Sequence, residues 1–77
     1  MALTGAELQM TERFLLSQPD VLKASVWVER GYVFANVTVA EDAEVTNREL
    51  LNACKKELGL RYSPAEIMML HAKQRAA

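Results

Sequence analysis

Seventy-seven residues make one small domain, near the size at which a single core is only marginally sufficient. Apolar residues make up 51% and charged residues 25%, and the formal charge is −1 with both signs interspersed. That describes a globular chain, lacks the basic patch that DNA or RNA binding demands, and leaves little room for both a substrate cleft and a catalytic framework. No apolar run approaches the length of a membrane span. Met1-Ala2-Leu3-Thr4-Gly5 lacks the positive and apolar regions of a secretory signal, and the single Cys54 has no partner for an internal disulfide. The expectation is a soluble cytoplasmic domain spanning 1–77.

Thr4-Gly5-Ala6-Glu7 fits a capping box, with Thr4 as N-cap and Glu7 three residues on. It predicts a helix to about Ser17 with Leu8, Met10, Phe14 and Leu15 on one broad stripe and Leu16 outside it. Gln18-Pro19-Asp20 ends that helix, because proline restricts the residue before it and offers no amide donor. Residues Leu22 to Val39 then alternate as two strands joined at Arg30-Gly31, a hairpin signal in which Gly31 is free to take positive φ. One face carries Leu22, Ala24, Val26, Val28, Val33, Ala35, Val37 and Val39, all apolar. The other carries Lys23, Ser25, Trp27, Glu29, Tyr32, Phe34, Asn36 and Thr38, polar except for three of the chain's five aromatics. An aromatic cluster on an outer sheet face marks either a contact surface or cross-strand stacking that stabilises the hairpin.

Ala40 to Val45 reads as a solvated acidic loop, without the spacing of a calcium-binding loop. Thr46-Asn47-Arg48-Glu49 is a second capping box. The helix it opens places Leu50, Leu51, Cys54 and Leu58 on a narrow stripe and stops at Gly59. The last segment has two readings. Ser63-Pro64-Ala65-Glu66 looks like a third capping box, predicting a helix from Pro64 to about Arg75, whereas Ile67 to His71 forms a short apolar run suited to a buried strand. Strand is favoured, because a third strand would stabilise a two-stranded sheet. Lys73 to Ala77 reads as a frayed tail. The order α-β-β-α-β predicts an α+β fold in two layers, a half-open ferredoxin-like plait with a three-stranded sheet, two helices on one face, and the last strand returning beside the first.

Little in the chain points to catalysis. Cys54 sits mid-stripe and reads as a small core hydrophobe, since a reactive thiolate wants exposure and a cationic neighbour. His71 and Cys54 together fall short of the three or four ligands of a zinc site, and the three glycines are isolated, so no phosphate loop is present. Met68-Met69 reads as core filling. No catalytic residue, metal or cofactor is predicted.

A family pattern joins these elements. Glu12, Leu15-Leu16-Ser17, Pro19, Val21, Ala24 and Val26 match the segment E-x-x-L-L-S-x-P-x-V-x-x-A-x-V. Thr46, Glu49-Leu50, Cys54-Lys55, Leu58, Tyr62, Pro64 and Ile67 match a helix of E-L-x-x-x-C-K/R type that leads through a tyrosine and a proline into a strand. Over Glu12 to Leu70 the chain resembles the small C-terminal lid domain of adenylate-forming enzymes, the acyl-CoA synthetases and their relatives. The resemblance implies a strand over Glu66 to His71. It carries over no catalytic residue, because the family's lysine follows a glycine whereas Lys73 precedes Gln74, and the hairpin turn at Arg30-Gly31 is tighter than the family's. The same αββαβ order occurs in ring-building domains of secretion systems and in cytoplasmic domains of cation-efflux transporters.

The resulting expectation is a non-enzymatic protein-interaction module that self-associates through Trp27, Tyr32 and Phe34, with Lys23, Ser25, Asn36 and Thr38 around them. A lid-like accessory to an adenylate-forming enzyme or acyl carrier is the first alternative, and a metal or nucleic-acid binder the second. A protein partner, most simply a second copy, is expected, and no small-molecule substrate.

Overall fold

The computed structural model describes residues 4–73. The elements run α1 (Gly5–Leu16), β1 (Val21–Glu29), β2 (Tyr32–Val39), α2 (Asn47–Leu58) and β3 (Glu66–His71). Both capping boxes form. The Thr4 and Thr46 hydroxyls each accept from the amide three residues on, and Glu7 and Glu49 each accept from the N-cap amide in return. Of the tail predicted to fray, residues 74–77 lie outside the described residues, as do residues 1–3 of the segment read as lacking a signal.

The sheet order is β1-β2-β3, with β1–β2 antiparallel and β2–β3 parallel. The last strand therefore returns beside β2 and not beside β1. A β2–α2–β3 crossover that lays β3 next to the strand it left needs only one helix length of connection, and sequential strands usually neighbour one another. The choice between helix and strand for the last segment is settled at its start, where the Ala65 amide donates to the Val33 carbonyl at 2.7 Å and opens the ladder.

Both helices lie on one face of the sheet. Leu15 of α1, Leu50 and Cys54 of α2, Ala35, Val37 and Val39 of β2, and Ile67 of β3 form the buried core. Val21, Ala24, Val26 and Met69 pack at its margin. Three sequence-based assignments change. Leu22 is 55% exposed, because a bulge between Val21 and Lys23 gives Val21 the inward position opposite Val39. An extra residue in one strand shifts the alternation by one. Met10 is 47% exposed, and Thr11 takes the buried position of α1 one turn before Leu15. Met68 is 44% exposed on the outer face, since the pleat that turns Ile67 inward turns its neighbour out.

The turns need positive φ at Arg30 (53°) and Gly31 (81°), the twist a two-residue hairpin prefers. Gly59 ends α2 at φ 81° and ψ 169°, a region only glycine occupies without strain. No described helix is long and apolar enough to cross a membrane.

Candidate functional site: the uncovered sheet face

The strand registers arrange the face opposite the helices as four rows. Lys23, Thr38 and Leu70 form the first, Ser25, Asn36 and Met68 the second, Trp27, Phe34 and Glu66 the third, and Glu29 and Tyr32 the fourth. Each row crosses β1, β2 and, for the first three, β3, because residues at matching register project to the same side. All seven residues singled out from the sequence therefore share one surface.

Trp27 and Phe34 stand directly opposite across β1 and β2, with ring centroids 6.2 Å apart and planes inclined by 28°. An offset stack of this kind contributes about 0.5–1.5 kcal/mol beyond burial and so stiffens the hairpin. Both rings remain half-buried only, and Tyr32 is 63% exposed. Met68 and Leu70, the latter 62% exposed, extend the apolar strip onto β3. These two were missed at the sequence level. Their signal was the alternation of the last segment, which becomes legible once that segment is a strand and its pleat is in phase with β2.

Elsewhere the candidate groups are dispersed. Cys54 is fully buried and unpaired, and burial pushes its thiol pKa up to about 11. A protonated, enclosed thiol is no nucleophile. His71 is exposed, and its Nε2 donates to the Ala43 carbonyl at 3.2 Å, tying the end of β3 to the acidic loop. Among the described residues no group of three or more His, Cys, Asp and Glu is placed to hold a metal ion.

A concavity of about 290 Å³ opens at the hairpin end, bounded by Tyr32, Lys55, Leu60, Arg61 and Pro64. Arg61 is already engaged there. It lies 3.7 Å from Glu7 and stacks over the Tyr62 ring at 5.6 Å. The Glu7 carboxylate is held below its ordinary pKa, chiefly by the Thr4 amide at 3.0 Å and less by Arg61. This contact and the Thr11 hydroxyl, which donates to the Tyr62 carbonyl at 2.8 Å, bind α1 to the segment before β3. The arrangement there is a structural clasp. The uncovered sheet face carries the exposed Tyr32, Met68 and Leu70 beside the half-buried Trp27 and Phe34.

A two-layer fold with an αββαβ order, a capped α2 running into a tyrosine, a proline and a parallel strand, is the architecture of the small lid domain of adenylate-forming enzymes, and this chain is similar to it. Ten solved chains match its structure. One is IdnL1, with a TM-score of 0.75 and 27% identity over 87% of this chain. Another is the amide bond synthetase McbA from Marinactinospora thermotolerans, with a TM-score of 0.70 and 24% identity over 86% of this chain; at that identity the likeness is one of fold. Both are adenylate-forming enzymes. The chain spans only 14% and 15% of those two proteins, the share of a small domain. No protein family and no curated protein matches the sequence.

Proposed function

We propose that this chain is a non-enzymatic protein-docking module of lid-like fold that self-associates through the uncovered face of its sheet. The observation that carries the reading is the apolar set of Trp27, Phe34, Tyr32, Met68 and Leu70 on a face that neither helix covers, with Phe34 and Met68 diagonal neighbours across β2 and β3. Contiguous exposed apolar surface marks a contact site far more often than scattered single residues do. Aromatic residues and methionine are also enriched in interface cores. Burying each of these side chains contributes about 1.5–3 kcal/mol at full burial, before the costs of association. The single unpaired thiol supports a cytoplasmic setting.

Trp27→Ala tests the reading. The variant keeps its far-UV circular dichroism and loses association, followed by light scattering across a dilution series. A variant that unfolds instead assigns Trp27 to the fold alone and removes the basis of the proposal.

The lid-like fold itself favours a second reading, in which the module works beside the nucleotide-binding part of an adenylate-forming enzyme or with its acyl carrier. Titrating such an enzyme and its carrier into this chain while following Trp27 emission tests it. An unchanged spectrum at saturating enzyme and carrier rejects it.

A further inference from the structure

We infer that the uncovered sheet face is self-complementary and packs against a second copy with the strands of the two sheets running antiparallel, a proposal that rests on the docking reading above. The four-row register carries the argument. A two-fold axis lying in the interface, perpendicular to the strands and midway between the second and third rows, reverses strand direction and keeps the strand order, so the first row meets the fourth and the second meets the third. Lys23 then faces Glu29 of the second copy, and Glu29 faces its Lys23. Ser25 faces Trp27 of the second copy, Asn36 faces its Phe34, and Thr38 faces its Tyr32.

Two independent properties of the face fit this operator. The first is size: every aromatic ring meets a short polar side chain across the interface, which is the large-against-small alternation that lets two sheets interdigitate at about 10 Å. The second is charge: Lys23 and Glu29 stand at opposite ends of β1, both exposed, and the Arg61–Glu7 ion pair involves neither. A two-fold axis parallel to the strands instead sets Lys23 against Leu70, Trp27 against Glu66 and Phe34 against itself, with no charge pair formed. In the favoured arrangement Glu66 lies on the edge strand beside Met68 of the second copy, where its carboxylate reaches water.

The size of the face sets the strength. Three strands about 4.8 Å apart and rows about 7 Å apart give a footprint of roughly 300–400 Å² per copy, below the about 800 Å² of a standard interface. The dimer is therefore weak and exchanges with monomer over micromolar to millimolar concentrations.

The test is sedimentation equilibrium over that range for the natural chain, Lys23→Glu, Glu29→Lys and the double variant. Both positions are exposed, so the substitutions leave the core untouched. Each single variant places two like-charge pairs in the interface and raises the dimer dissociation constant by roughly tenfold. The double variant restores both pairs and returns the constant to within about threefold of the natural value. A chain that stays monomeric throughout overturns self-association itself, and with it both the docking reading and the antiparallel arrangement. A dimer indifferent to both single variants, or one the double variant fails to restore, overturns the antiparallel arrangement.

Discussion

Replacing Thr11 by valine isolates one hydrogen bond that the fold depends on. Thr11 is fully buried in α1, and its hydroxyl donates to the Tyr62 carbonyl 51 residues away, at 2.8 Å. Valine keeps nearly the same volume and removes the donor. The Tyr62 carbonyl is then left without that partner in a partly buried setting, at a cost of about 1–2 kcal/mol. Thr11→Ser keeps the donor and loses one buried methyl, costing about 1 kcal/mol through packing. Thr11→Ala loses both, and about 2–3 kcal/mol follows if the two effects are independent. A domain of this size has roughly 4–12 kcal/mol in hand, so all three variants stay folded at 25 °C and can be compared by urea unfolding. In thermal melts, 1 kcal/mol corresponds to about 4–8 °C at this length, so Thr11→Val melts some 5–15 °C lower. The reasoning is refuted if Thr11→Val equals the natural chain while Thr11→Ser and Thr11→Ala lose the same amount. That pattern would assign the whole contribution to the methyl and none to the clasp between α1 and the segment before β3.

Other consequences follow from the same structure. Cys54 in the native chain reacts with a thiol reagent at pH 8 many times more slowly than in urea, because the thiol is enclosed and its pKa is raised to about 11. The unfolded thiol ionises near its ordinary value and the folded one does not, so stability falls as pH rises from about 9 towards 11, and Cys54→Ala abolishes that part of the decline. Equal labelling rates in the two states would contradict the buried placement. Gly59→Ala costs about 1–3 kcal/mol and Gly31→Ala about 1 kcal/mol, since ψ of 169° at Gly59 lies outside the left-handed region that other residues tolerate. In both cases an added Cβ meets open space, so backbone conformation alone sets the cost, and a reversed order in urea unfolding would count against this account.

The legible parts were those fixed by short-range chemistry. Thr4 and Thr46 each stand three residues before a glutamate, and a capping box needs nothing beyond that spacing. The outer position of Trp27, Phe34, Asn36 and Thr38 followed from a period of two once Val33, Ala35, Val37 and Val39 were inward. Leu22 escaped that logic because the bulge before Lys23 inserts a residue, and no local signal marks it. Met10 and Thr11 exchanged places because helical periodicity gives a stripe its direction only approximately. Thr11 is the residue that turned inward, where its hydroxyl donates to the Tyr62 carbonyl. The candidate surface was half legible: β1 and β2 supplied the aromatics, while Met68 and Leu70 joined them only when β3 docked.

The sequence by itself determined the caps, the strand alternation, the tight turn at Arg30-Gly31 and the stop at Gly59, all matters settled within a few residues of chain. The tertiary structure alone decided the rest. Pro64 to His71 suits a helix start as well as a strand, and the open edge of β2, reached by the Ala65 amide, selects the strand. The same edge sets β3 parallel to β2, and that placement extends the open face to its third strand and gives the molecule the surface it has to offer. A ladder hydrogen bond pairs residues far apart in the chain, so no local pattern can choose its partner before the layers meet.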